Sequence, residues 1–419
     1  MNRVLGAAAL AAALVLLSGC GSSSGDPVQP TDVTLGSHQI PDDVQIGLIV
    51  TLKSAPGQGA EWLSSAAGTE VATYQYHLGG HRVTLDVVDD KGTRSGARKA
   101  VQTLVGEGVS GIVAATSGQH LVGSLDQAAE SGTAVLLPYQ SNPAGLQRNE
   151  WLTGPTSTQL GATMATMIAD NGWQHPLLVT SAGQRVDGLP NATVLKVSSH
   201  AQPAAVFRKI RAARTSEGVD IVVLAVPADL QAGVVKAVQS AKRDIPILLG
   251  RDAVSPTFAD TLVKLGGSLA GQFTTAGLDA GDVTAVGAGA SGDRAASFFS
   301  ALGLASSDAN TKDLFGQGPF SAQAGSADIA SHDAVVALVA AATQAGSAAP
   351  GKVLATLGKL RVTGSAGLAG PDLDFTRQSA VADSDVLPMH ATMQDPGVRP
   401  PGLGDPTQLF WFAVPGPQS

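Results

Sequence analysis

Val44-Gln-Ile-Gly-Leu-Ile-Val50 is a short, almost wholly apolar run that ends in a polar loop. Three more runs of this kind follow, at Arg82–Val88, Gly111–Ala115 and Ala134–Leu137. Unbroken apolar runs of this length, without an alternating polar face, read as strands buried on both sides. Amphipathic stretches separate them, predicting helices over Ala60–His77, Ser95–Gly106 and Leu121–Ser131. Gly79-Gly80 stops the first helix, and Asp89-Asp90 closes the second strand. Strands alternating with helices in this way argue for a parallel sheet with helices on both faces.

The rhythm repeats beyond Trp151. Helices are predicted at Gln159–Asp170, Ala204–Arg214, Leu230–Lys242 and Thr257–Leu265. Strands are predicted at His175–Thr180, Thr193–Val197, Ile221–Val226 and Ile245–Leu249. Ala270–Thr275 then reads as a strand returning to the first lobe. Helices at Arg294–Leu302, Ser326–Ala345 and Gly351–Leu360 follow it. From Val362 onward the chain is rich in Pro and Gly and reads as strands and loops closing the second lobe. The expected fold class is α/β, with two Rossmann-like lobes built on parallel sheets. A chain of 419 residues suits two lobes of ordinary size.

The N-terminus carries a different signal. Arg3 is its only charge, and an apolar stretch from Val4 to Leu17 is too short to span a bilayer. This pattern marks an export signal over residues 1–19. Leu17-Ser18-Gly19-Cys20 resembles the bacterial lipobox, in which a diacylglycerol is attached to the cysteine thiol. Cys20 is the only cysteine, so no disulfide and no cysteine-based metal site is expected. Residues 20–43, rich in Gly, Ser, Pro and Thr, read as a flexible tether. Some 20 extended residues would reach roughly 70 Å from the membrane.

Composition narrows the function. A net charge of −8 offers no basic footprint for nucleic acid. His77 and His81 are separated by Gly79-Gly80, which argues against a helical metal pair. Gly21-Ser-Ser-Ser-Gly25 fits Gly-x-Ser-x-Gly but lies in the tether, where no strand–turn–helix could hold the serine. Gly287-Ala-Gly-Ala-Ser-Gly292 fits a dinucleotide fingerprint but lies far from the first βα unit. No catalytic constellation is apparent, so neither an enzyme nor a cofactor is expected.

The order of segments resembles the type I periplasmic binding proteins, specifically the branched-chain amino acid solute-binding proteins of ABC transporters. The matching stretches are Val44–Val50, Leu85–Asp90, Gly111–Gly118 and Pro138–Pro143, then Gly218–Leu224, Ile247–Asp252, Ser331–Val335 and Gly364–Phe375. The resemblance implies two lobes joined by a three-crossover hinge, at 44–155 plus 273–358 and at 156–272 plus 359–419. It also implies a small-molecule ligand in the cleft, a permease partner in the same membrane, and a monomer anchored on the extracytoplasmic face.

Ligand contacts are expected where strands end, because open α/β sheets bind at the carboxyl edge of their strands. Thr116, Ser117 and Gln119 follow the third strand, and hydroxyls with free backbone N–H groups there suit a carboxylate. Tyr139, Gln140 and Ser141 follow the fourth; Ser141 matches the family's hydroxyl position, and Tyr139 and Gln140 either shrink the pocket or stack on a ligand. Asp252 follows a second-lobe strand, where the family pairs an acid with the ligand's ammonium. Trp62 could supply an apolar wall.

One departure from the family is plain. Val179-Thr-Ser-Ala-Gly183 leads within a few residues to Asn191-Ala-Thr, too little chain for the expected helix. The family's tyrosine is absent there as well, so the second half of the cleft is remodelled. Either the ligand is not a branched-chain amino acid, or the protein is a non-transport lipoprotein of the same fold that binds a protein or envelope partner.

Overall fold

The structure, a computed structural model, describes residues 32–36, 39–242, 244–400 and 408–414. Cys20 and most of the segment before the first strand lie outside the described residues.

The first sheet has five parallel strands in the order β2-β1-β3-β4-β5. They are β1 (Val44–Val50), β2 (Val83–Asp89), β3 (Gly111–Ala114), β4 (Val135–Leu137) and β5 (Glu150–Leu152). Between them run α1 (Gly68–Leu78), α2 (Arg94–Glu107) and α3 (Asp126–Glu130). The pleat sorts side chains to both faces. Ile46, Leu48 and Val113 enter one core, and Ile49, Ile112 and Ala114 enter the other. This two-sided burial is what the unbroken apolar runs predicted.

A second parallel sheet has the order β7-β6-β8-β9. The chain enters it through α4 (Ser157–Asp170), then β6 (Pro176–Thr180), β7 (Thr193–Lys196) and α5 (Pro203–Ser216). It continues through β8 (Ile221–Ala225), α6 (Ala228–Ser240), β9 (Ile247–Leu249) and α7 (Pro256–Lys264). Thr156 opens α4 with a reciprocal capping box to Gln159. As expected, residues 181–192 join β6 to β7 without a helix.

The return passage differs from the expectation. β10 (Thr274–Leu278) does not join the first sheet. It pairs antiparallel with β13 (Val386–Thr392), which pairs in turn with β14 (Phe410–Ala413). α8 (Asp282–Ala285), α9 (Ala290–Ser307), α10 (Ile329–Ala345) and α11 (Pro350–Leu357) lie between. β11 (Arg361–Val362) and β12 (Leu373–Asp374) form a small ladder. The segment beyond it reaches the first sheet: Leu152 N–H donates to Gln378 O at 2.8 Å, and Trp151 Nε1 donates to Phe375 O at 2.9 Å.

Two predicted helices are shorter than expected. The 60–77 stretch opens as 3₁₀ turns at Ala60–Trp62 and Ser65–Ala67 before α1 begins. The 121–131 stretch is helical only over α3, because Gly123 takes φ +66° and breaks the helical path. Among the described residues no single helix is long and apolar enough to cross a membrane. The apolar α10 is instead a core helix, buried along most of its length.

Candidate functional site

The predicted contacts gather around Trp62, which is 3% exposed. Its ring stacks on Tyr139 with centroids 4.5 Å apart and planes 8° from parallel. Its Nε1 donates to Ser117 Oγ at 3.1 Å, and Ser117 donates weakly to Glu61 Oε1 at 3.5 Å. Tyr139 donates its hydroxyl to Asp328 Oδ1 at 2.9 Å. The tyrosine therefore stacks on the protein's own tryptophan. Gln140 is turned inward, donating to Gly118 O at 3.3 Å and accepting from Ser141 N–H at 3.1 Å. Ser141 accepts at its carbonyl from Ser157 N–H at 2.8 Å, across the passage between the sheets.

Thr116 lies deeper. It is wholly buried, and its hydroxyl shares a proton with Thr51 Oγ1 at 2.6 Å. Thr51 donates to Asp90 Oδ1 at 2.6 Å, and His120 Nε2 meets Asp90 Oδ2 at 2.7 Å. His120 Nδ1 reaches Gln58 Oε1 at 3.2 Å. This network ties the loop after β1 to the loop after β3. Sequence reasoning missed Asp90 and His120 as a pair; the Asp89-Asp90 strand end was the one visible signal.

From the second sheet come Arg251 and Asp252, on the turn after β9. Arg251 crosses to the first lobe: Nη2 donates to Pro138 O at 2.6 Å and Nη1 donates to Tyr139 O. Its guanidinium lies 5.3 Å from the Trp62 ring centroid, within cation–π range. Asp252 is 4% exposed and accepts from Gln184 Nε2 at 2.6 Å. Gln184 belongs to the helix-less connection between β6 and β7. Gln119 faces the same connection: a Cβ on Gly183 would stand 3.1 Å from Gln119 Cγ.

This arrangement of two lobes around one cleft agrees with the comparisons. The family described as periplasmic binding protein matches residues 43–392. The chain belongs to the periplasmic binding protein family. Solved structures of this family's fold superpose on most of it. A leucine-binding protein, LivK, from Thermotoga maritima MSB8 gives a TM-score of 0.62 at 17% identity, covering 89% of this chain and 99% of that one. A solute-binding protein from R. palustris, in complex with 4-hydroxybenzoate, gives 0.63 at 14%, covering 88% and 97%. LivJ from Streptococcus pneumoniae, in complex with isoleucine, gives 0.61 at 15%, covering 85% and 99%. No curated protein matches by sequence comparison.

Electrostatics set this family member's cleft apart. Burial pushes Glu61 up to about 8, and the neighbouring Asp252 adds to the rise. Burial also pushes Asp252 up to about 6, against the opposing pull of Arg251 and Gln184. Burial lowers Arg251 to about 10. The acids are thus driven toward neutrality and the cation is left desolvated. On the hinge side of the Trp62–Tyr139–Arg251 stack a cavity of about 380 Å³ opens. It reaches Thr153 beside α4, the turn after β10, and Leu373 of β12.

Proposed function

We propose that this protein is the lipid-anchored, extracytoplasmic receptor of an ABC importer, a monomer tethered through Cys20. It captures a small polar metabolite, an amino acid or an amide-like compound, between its lobes and passes it to the permease. One observation carries this reading. Ser117 and Tyr139 from the first sheet meet Arg251 and Asp252 from the second around Trp62. All four follow the carboxyl ends of strands, where α/β folds take ligands. Hinge closure of two such lobes on a ligand is a standard way to couple capture to release. The isoleucine and 4-hydroxybenzoate complexes among proteins of this fold support a ligand of that size.

The test is a thermal-shift and calorimetric screen of the soluble chain against amino acids, amides and short acids. Stabilisation by at least one class is expected; none by any class would sink the reading. Labelled-lipid incorporation lost in Cys20→Ser checks the anchor.

A specific observation favours a second reading. Asp252 is bonded to Gln184, and Ser117 to Trp62 and Glu61, so these groups already satisfy one another. In that reading the protein is a non-transport lipoprotein that binds an envelope or protein partner. Recovery of a stable partner from envelope extracts, with no small-molecule stabilisation, would favour it.

A further inference from the structure

We propose that the hinge-side cavity is a binding site for a small organic anion with an apolar body, its carboxylate held by Arg251. The proposal rests on the receptor reading for one element, the opening of the lobes that admits a ligand.

Space comes first. A cavity of about 150 Å³ holds benzene. The chamber here is about 380 Å³, within the range of ordinary small-molecule pockets. Its walls are chiefly apolar, with Val254, Ile329, Leu373, Met389 and Trp411 around the space and Trp62 at one side. A solvated, fully polar ligand would gain little from such walls.

Charge comes second. Among the described residues Arg251 makes no ion pair. Its hydrogen bonds go to two neutral carbonyls, those of Pro138 and Tyr139. A guanidinium has five N–H donors, so capacity remains. The other buried charges on the cavity wall are already matched. Arg399 pairs with Asp282. Asp328 accepts from Ser331 N–H and Tyr139 Oη, and Asp333 accepts from Ala369 and Gly370 N–H. Asp260, on α7, keeps part of its surface in solvent. Arg251 is therefore the charge that a ligand would complete, and burial already weakens its hold on its proton.

An orphan hydroxyl is the third and independent observation. Thr153 lines the same cavity, is 4% exposed, and its Oγ1 has no hydrogen-bond partner among the described residues. Buried polar groups without partners are uncommon and call for an explanation. Thr153 adjoins Gly154, and a Cβ on Gly154 would stand 3.1 Å from Arg251 Nη2. The free hydroxyl and the unpaired guanidinium thus occupy one end of the chamber. Both can donate, which suits a carboxylate, and the apolar walls take the rest of the molecule.

The test is titration of the full-length chain with benzoate, its neutral analogue benzamide, and leucine, read by tryptophan fluorescence and thermal shift. Benzoate is expected to bind about tenfold or more tightly than benzamide, the scale of one charge-assisted pair. Arg251→Gln should bring benzoate down to the benzamide level. Thr153→Val keeps the shape, removes an unsatisfied hydroxyl, and should weaken benzoate several-fold without lowering the melting temperature. Equal affinity for benzoate and benzamide would overturn the proposal, as would undiminished benzoate binding by Arg251→Gln. Should that variant fail to fold, undiminished binding by Thr153→Val overturns it instead. Stabilisation by leucine with none by benzoate also overturns the anion site while leaving the receptor reading standing.

Discussion

The two parallel sheets make the same kind of connection in different ways. From β1 to β2 the chain spends residues 51–82, which include α1 packed on β2 and α10. From β6 to β7 it spends residues 181–192 and forms no helix. A parallel crossover needs about a dozen residues, so the second connection is near the minimum. The two edges differ accordingly. β2 is partly covered, whereas β7 is exposed at three of its four residues. What the short connection lacks in cover it returns to the cleft. Asp187 accepts from Ser157 Oγ at 2.6 Å on α4, and Gln184 reaches Asp252. The long connection also reaches the cleft, but with Glu61 and Trp62. Each lobe thus supplies the cleft from the connection after its first strand, one with a buried acid and a ring, the other with an amide.

The largest effect should come from the acid of the long connection. Glu61 has a folded-state value raised to about 8 from an ordinary 4.5. A raised acid favours the folded state at low pH, and that contribution fades as pH rises through the folded value. Stability should therefore fall between about pH 5 and pH 8, by on the order of 2–4 kcal/mol. Glu61→Gln should flatten that slope, leaving the variant close to wild type at pH 5 and more stable at pH 9. Thermal unfolding across this range checks it, and an unchanged slope would show that Glu61 is not the buried acid described.

Next is the anchoring of the short connection. A Cβ on Gly161 of α4 would fall 1.7 Å from Asp187 O. Gly161→Val should cost about 3 kcal/mol through forced displacement of the loop. Urea denaturation measures it, and a cost below about 1 kcal/mol would mean that the loop is not docked on α4. Gln184→Ala removes the partner of Asp252 and should cost about 1–2 kcal/mol at neutral pH. The loss should shrink at pH 4, where Asp252 is protonated in both states. The smallest effect belongs to the exposed edge. Val194 is 51% exposed on β7, and Val194→Lys should change stability by less than about 0.5 kcal/mol. It should lower the tendency to associate, since charge on an edge strand blocks edge-to-edge pairing; light scattering would show this.

Much of the scaffold was legible because it rests on local pattern. Both parallel sheets and the missing helix after Val179 follow from run length and the amount of chain available. Loops at the strand ends were legible too, so Ser117, Tyr139 and Asp252 were found near one another. Their partners were not. Asp252 read as the group awaiting a cation, but Gln184 occupies it and Arg251 reaches past it to carbonyls of the other lobe. Tyr139 read as a candidate stacking partner for a ligand, and it stacks on Trp62. Glu61 carried no signal, since an isolated Glu in a polar loop is normally solvated.

By itself the sequence determined the α/β class, the two strand–helix series and the places where each sheet offers loops to a cleft. These depend on apolar run length, period and turn residues, which act over a few positions. Only the tertiary structure decided that β10 pairs with β13, that Arg251 spans the lobes, and that Thr153 is left without a partner beside a cavity. Those outcomes depend on which groups remain unsatisfied after distant segments pack, and no local pattern records that balance.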